Sequence, residues 1–319
     1  MLTAEKSKRA MANKTGIINL ETATPAAVSE KIAAMRAGGK ILGNLLKDLK
    51  NYVKPGMTGK TIDTWVRKEI IARKAGVAYD MLEEKFPGAI CISINDELVH
   101  GAPTEEPLEV GDKVSFDLDI YYKGYFTDSA FTMIVGDKGS PAVKKMISVT
   151  ESALWEGIAQ VKPGSHIGDI GHAVETVLRR GHLGVIENYI GHGIGKTMHE
   201  TPEVPNYGKK GHGYKLVEGD TICIEPMSCL GKPANYVEDG DNWTVKMKDG
   251  SIGCHFEHTI LVTKDGYEVL TLPDWCKIYK AVLSFGKMAP SINLTLHLLF
   301  SPAEGTINSW ITINALSLV

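Results

Sequence analysis

The sequence predicts an α/β fold in which helices and strands are shared between two related half-domains, and three observations lead there. A pair of amphipathic helix patterns occurs twice at a fixed spacing. Strand-period text follows each pair, and those strands carry acids where a soluble protein ordinarily buries apolar side chains. At 319 residues the chain can bury one large core or two smaller ones.

Taken in order, residues 1–23 are basic at first but lack the continuous apolar block of a secretion signal, and they read as a loose arm. Thr24-Pro25 predicts a helix start, with threonine as N-cap and proline in the first turn. Ile32, Met35, Leu42, Leu45, Leu46, Leu49 and Val53 mark one face of that helix, and Lys54-Pro55-Gly56 ends it. A second helix is expected from about Thr58 to Arg73 on Ile62, Val66 and Ile70. A mixed region to Pro103 follows, with strand-like text from Ala89 to Ile94 and then Val99-His100-Gly101. Val114, Phe116, Leu118 and Ile120 next alternate with Ser115, Asp117, Asp119 and Tyr121, the period of a half-buried strand. Lys123-Gly124 reads as a hairpin turn, and Tyr125 to Phe131 as the returning strand with Asp128 in its middle.

The same plan then begins again. Ser140-Pro141 supplies a new cap and proline, Val143, Met146, Ile147, Leu154, Ile158 and Val161 form the stripe, and Lys162-Pro163-Gly164 closes it. Val53-Lys54-Pro55-Gly56 matches Val161-Lys162-Pro163-Gly164 at an offset of 108 residues, and Ile62 and Val66 match Ile170 and Val174. LEVGDKVSFD (108–117) lies over LVEGDTICIE (216–225) at the same offset. One shared turn would be chance, whereas an offset sustained from Val53 to Asp117 points to internal duplication.

Duplication gives the acids a meaning. It pairs Asp117 with Glu225 and, on the following strands, Asp128 with Glu257, the second half carrying an extra loop between its two acids. Two halves packed about a pseudo-two-fold axis would bring four carboxylates to one point. Such charges repel strongly once water is scarce, and no arginine stands near any of them in sequence, so a divalent-metal site for two ions is expected. Taken singly, Asp117 or Asp128 would read as a solvated face residue; the repeat overturns that. Asp119 shares the strand face of Asp117, and the two-residue turn sets it opposite Asp128. Because Glu225 aligns with Asp117, Asp117 is taken as the ligand and Asp119 as its neighbour.

Three of the ten histidines stand in telling settings. His192 sits in Tyr189-Ile190-Gly191-His192-Gly193-Ile194-Gly195, where glycine allows a backbone to approach something bulky or charged. The spacing is not G-x-G-x-x-G, so a phosphate loop is not expected. His199 lies seven residues on, and His100 precedes Gly101-Ala102-Pro103. His166, His172, His182, His212 and His297 gain no such support. No G-x-S-x-G elbow is present, and Cys91, on a strand apolar on both sides, reads as packing or pocket wall rather than a nucleophile.

In chain order and local context, Asp117, Asp128, His192 in GHGIG, Glu225 in IEPM and Glu257 in FEHTI resemble the five metal ligands of the methionine aminopeptidases. The resemblance runs over residues 26–272 and implies the pita-bread fold, with antiparallel sheet inside and helices outside. The implied domain spans 24–275, with half-repeats near 26–136 and 141–272. It implies that Asp117 chelates one of two divalent ions, that Asp128 and Glu257 bridge both, and that His192 and Glu225 complete the other. His100, His199 and Glu225 take the catalytic positions: Glu225 carries a proton, His199 steadies the oxyanion and His100 the scissile amide. Cobalt, manganese or iron suit an oxygen-rich set with one imidazole, zinc being a further option.

Cys91 and Trp243 match positions that line or rim the methionine pocket, and His100 and His199 also face the substrate. Phe86 and Met198 stand where bacterial members usually carry aromatic residues. Met198 is thus a departure, as is the region from Asp80 to Lys85, where Glu83 falls near a further aromatic position. The interval from His199 to Glu225 is too short for the type II insertion and no cysteine precedes Cys91, so the bacterial type I form is implied. The implied reaction is removal of the initiator methionine from nascent polypeptides near the ribosome, preferably before a small second residue.

With 35 basic and 38 acidic residues and no long single-sign run, neither nucleic acid nor a membrane is expected as a partner, and a monomer is expected. No stretch reaches the ~18–20 apolar residues of a bilayer span. Five scattered cysteines without a C-x-x-C pair fit a reducing, cytoplasmic setting. Two alternatives compete: an X-Pro aminopeptidase or prolidase of the same fold, which usually carries a further N-terminal domain, and a non-catalytic binding protein on this scaffold, which typically loses the ligands. The tail over 276–319, with only Glu304 charged from Ala289 onward, follows no expected helix or strand period and receives no function.

Overall fold

Helix α1 (Pro25–Tyr52) begins where the cap requires: Thr24 Oγ1 accepts from the Ala27 amide, and proline occupies the first turn. Helix α2 (Gly59–Ala72) is capped in the same way by Thr58, whose hydroxyl accepts from Thr61 N. The computed structural model describes residues 24–83, 85–237 and 240–274, and the backbone of 292–301 and 306–315. The arm over 1–23 lies outside the described residues.

Strands β1 (Gly76–Val77), β2 (Cys91–Ile94), β3 (Glu97–Val99), β4 (Lys113–Tyr122) and β5 (Tyr125–Ile134) follow. Lys123 and Gly124 both adopt left-handed backbone, with φ of 47° and 89°, the pattern of a two-residue hairpin turn. That turn fixes the antiparallel register, and Asp119 lies directly across from Asp128. β4 is central, with β5 along one edge and β1 and β2 in succession along the other. The sequence period suggests a half-buried β4, yet Lys113 through Ile120 are all buried. Its apolar face packs into the first core with Leu42, Leu45, Ile62 and Val66, and its acidic face is covered by the second half.

The second half comprises α3 (Pro141–Ile158), α4 (Ile167–Arg180), β6 (Gly184–Val185), β7 (Gly191–Gly193), β8 (Glu200–Val204) and β9 (Thr221–Ile224). The extra loop expected between Glu225 and Glu257 carries four short strands: β10 (Met227–Cys229), β11 (Asn235–Val237), β12 (Val245–Met247) and β13 (Gly253–His255). β14 (His258–Thr263) and β15 (Gly266–Val269) complete a five-stranded sheet in the order β15-β14-β9-β7-β8. The inserted strands pair in two small sheets, β13-β10-β6 and β11-β12-β3. Each has only three residues, too few for alternation to declare itself.

The 108-residue offset recurs in backbone detail. α2 and α4 begin and end that distance apart, as do β1 and β6. Left-handed Gly56, Lys74 and Gly111 correspond to left-handed Gly164, His182 and Gly219. The isolated bridge Thr58–Pro107 returns as His166–Lys215. Each half has its own apolar cluster, the second built on Met146, Leu154, Ile170, Val174 and Ile222.

A polar seam joins the halves. Ala130 and Glu257 exchange backbone hydrogen bonds of 3.3 and 3.0 Å. Thr259 Oγ1 accepts from Asp128 N at 3.0 Å and donates to Asp128 O at 2.7 Å, and Ser129 Oγ donates to Glu257 O at 2.8 Å. No helix among the described residues is long and apolar enough to cross a membrane.

The chain divides into two compact units, Met1–Pro273 and Asp274–Val319. In the second, β16 (Ile292–Ser301) and β17 (Thr306–Ala315) pair antiparallel over ten residues, which corrects the expectation of no regular period there. Ile292, Leu294, Leu296, Leu298 and Phe300 do fall at every second position, a pattern that the consecutive Leu298-Leu299-Phe300 obscures.

Candidate active site

The seam sets Asp128 and Glu257. Asp128 is held on β5 through both backbone groups by Thr259, and Glu257 leads into β14 with its amide on Ala130. Asp117 and Asp119 project from β4 beside Asp128, and the three each offer a carboxylate oxygen within 4.8 Å of the others. Asp128, Glu257, His192 and Cys223 form a second group with donor atoms within the same 4.8 Å limit. Asp128 belongs to both groups. Glu225 directly follows β9, with Oε1 lying 3.6 Å from His192 Nε2, which is also 3.9 Å from Asp128 Oδ2. All five expected ligands, Asp117, Asp128, His192, Glu225 and Glu257, therefore face one buried volume, and Asp119 stands among them rather than at a distance.

Burial, then the neighbouring carboxylates, pushes the carboxyl groups of Asp117, Asp128 and Glu257 well above their ordinary range, and burial does the same to Glu225. No lysine or arginine among the described residues pairs with them. Asp117 Oδ1, Asp119 Oδ1, Asp128 Oδ1 and Glu257 Oε1 are buried without a hydrogen bond. Orphaned, crowded carboxylate oxygens around one imidazole fit divalent cations and little else.

His192 is prepared for the same task. Its Nδ1 lies 2.9 Å from Gly193 O, and because a carbonyl only accepts, Nδ1 carries the proton and Nε2 presents a lone pair to the acids. Burial, then His199, lowers its pKa well below the ordinary value and keeps it neutral. The adjoining glycines serve a different end from the one their sequence suggests. A Cβ at Gly191 would collide with Cys223 O and one at Gly193 with Thr201 O, so the bulk that approaches is the backbone of β9 and β8.

His100 comes from the first half of the chain and His199 from the second. His100 follows β3 with a left-handed backbone (φ 57°), braced by Gly101 N on Ser93 Oγ at 3.1 Å and by Ala102 N on Thr244 Oγ1 at 3.1 Å. Burial, then His199 and His255, lowers the His100 pKa to about 4. His199 is more exposed, its ring edge-on to His192 at 4.4 Å between centroids. The buried Glu200 accepts from Thr197 N at 3.0 Å and holds the turn that presents it.

Cys91, Phe86, Met198 and Trp243 lie in one apolar cluster with Tyr79 and Ile194. Phe86 is edge-on to Trp243 at 5.4 Å and tilted against Tyr79 at 4.8 Å, and the Tyr79 hydroxyl is 3.1 Å from Cys91 Sγ. Glu83 is exposed. Sequence reading missed Tyr79, Cys223 and His255. The last carried the clearest signal, two residues before Glu257 with a strand pattern around it; its Nε2 lies 3.5 Å from Glu225 Oε2.

Comparison with known proteins places this geometry in context. Residues 33–264 match the model of metallopeptidase family M24. A methionine aminopeptidase of Mycoplasma capricolum is 43% identical over 242 residues, covering 76% of this chain and 96% of that protein. Methionine aminopeptidase 1 of Bacillus subtilis is 38% identical with the same coverage. The crystal structure of methionine aminopeptidase from Rickettsia prowazekii superposes with a TM-score of 0.74 at 37% identity, over 76% of this chain and 97% of that one. Prolidase from Pyrococcus furiosus, at 21% identity and a TM-score of 0.60 over 64% of its own chain, shares the fold alone.

Proposed function

The chain belongs to metallopeptidase family M24 and to the methionine aminopeptidases within it, and we propose from that premise that it releases the N-terminal methionine of polypeptides at a two-metal centre. The observation that carries the site reading is the place of Asp128 in both groups of donor atoms, which suits a bridging carboxylate. In this reading Asp117, Asp128, His192, Glu225 and Glu257 would hold the two ions, with Asp128 shared between the two groups of donor atoms. Two bound divalent ions would act as Lewis acids and lower the pKa of a water towards neutrality. Manganese, iron or cobalt suit the donor set, with zinc as a further option.

The chain's own residues supply the rest. Glu225, whose carboxyl is pushed up by burial, takes the proton of the attacking water and returns it to the leaving amine. His199 donates to the developing oxyanion and His100 to the scissile amide. The apolar cluster of Cys91, Phe86, Met198 and Trp243 receives the unbranched thioether side chain. Small second residues are preferred, and the substrate is a nascent chain met near the ribosome by a monomer in the cytoplasm.

With manganese or cobalt added, Met-Ala-Ser should be cleaved and an X-Pro peptide left intact, read by release of free methionine. Glu225→Gln should lower kcat by ~10²–10⁴-fold. Exclusive X-Pro cleavage, or full activity in Glu225→Gln, would overturn the reading.

A further inference from the structure

His255 ends β13, two residues before Glu257, and is 2% exposed. Its backbone is fixed from both sides by one side chain on β5: Thr132 Oγ1 donates to His255 O at 2.6 Å and accepts from His255 N at 3.2 Å. Its ring is not so provided for, since neither Nδ1 nor Nε2 makes a hydrogen bond. A buried imidazole with both nitrogens unmatched is costly, and such groups mark places where a partner or a function is missing from the account. In either protonation state the ring carries at least one N–H to give.

An acceptor within reach is Glu225. His255 Nε2 lies 3.5 Å from Oε2, and the register of Met227 against His255 runs β13 alongside the segment that follows Glu225. The other oxygen, Oε1, faces His192 Nε2 at 3.6 Å. Those two imidazoles cannot play the same part. His192 has committed its N–H to Gly193 O and offers Glu225 only a lone pair, a pairing that needs a cation between them. His255 has no such commitment. Among the described residues no other side chain donates to either oxygen of Glu225.

We infer that His255 is a positioning residue for Glu225: its Nε2–H donates to Oε2 and so fixes the carboxylate with Oε1 turned towards His192. The role rests on Glu225 acting as proposed above. A carboxylate that must both hold a cation and carry a proton gains from having one oxygen tied down, because the free oxygen then keeps a single orientation.

The test compares His255→Ala, His255→Leu, which keeps apolar volume if alanine does not fold, and His255→Gln, whose amide can donate to the same oxygen. Manganese is titrated calorimetrically into each metal-free protein, and kcat and KM are measured on Met-Ala-Ser. Loss of the donor should lower kcat by ~10–100-fold and metal affinity by about tenfold, with KM within about twofold of wild type, and His255→Gln should restore most of both. Wild-type values in the donor-less variants, or a glutamine variant no better than leucine, would overturn the role. A wild-type protein that cleaves no methionyl peptide would instead sink the activity reading, while the calorimetric comparison would still decide the part played by His255.

Discussion

Asp117 and Asp119 stand two positions apart on one face of β4, and their surroundings separate them less than their sequence does. Both are buried, both leave an oxygen unmatched, and both join Asp128 in one group. The distinction comes from the duplication, which gives Asp117 a counterpart in Glu225 and leaves Asp119 without an acidic one, since the position at the same offset from Asp119 is Met227. Asp117→Asn should therefore reduce bound manganese from two ions to one by calorimetry and lower kcat/KM by more than ~10²-fold, while Asp119→Asn keeps two ions and loses roughly tenfold. Equal loss of metal in both variants would make Asp119 a ligand in its own right. The acids were legible because strand period and repeat are written in the sequence. The partners of Tyr79, Cys223 and His255 were not, because each contact joins two different elements whose packing no local pattern encodes.

At the scale of elements, the β2–β3 turn that presents His100 is closed by a buried cation. Lys113, fully buried at the start of β4, donates through Nζ to Ser93 O at 3.1 Å and Glu97 O at 2.9 Å. Burial lowers its pKa from 10.5 to about 8. Between those values the unfolded chain binds the proton and the folded one has released it, so this lysine makes stability rise with pH across that window. The melting temperature of wild type relative to Lys113→Met should climb from pH 8 to pH 10.5, as read by calorimetric melting; a constant difference would show that the amine titrates as it does in the open. Helix starts were legible because a cap acts within one turn, as Thr24, Thr58 and Ser140 do, the first and last with a proline beside them. The strands β10 to β13 were not, because three-residue strands take their identity from distant partners.

For the molecule as a whole, the proposed metal site and the seam share Asp128 and Glu257, so filling one should tighten the other. Two equivalents of manganese should raise the melting temperature by several degrees, since a ligand at a thousandfold excess over Kd stabilises by about 4 kcal/mol, and a chelator should reverse the gain. The gain should shrink on acidification. The raised carboxyl pKa values let protons compete for the same oxygens, and metal binding must displace them. A shift independent of pH would place the bound ion elsewhere. The duplicated architecture was legible at this scale because an offset is independent of any single contact, and the backbone repeats it down to the positions of left-handed residues.

The seam also imposes a timetable. The hydrogen bonds joining Asp128 to Thr259 span 131 residues, and synthesis runs from the N terminus at about 5–20 residues per second. A chain that has been made as far as residue 200 already contains Asp117, Asp128 and His192 but neither Glu225 nor Glu257. Its first hairpin can form, with its acids exposed and no second half to cover them. With the proposed ligands, metal loading would be a late event in the life of each molecule, set by when the last carboxylate emerges rather than by when the first ligand folds.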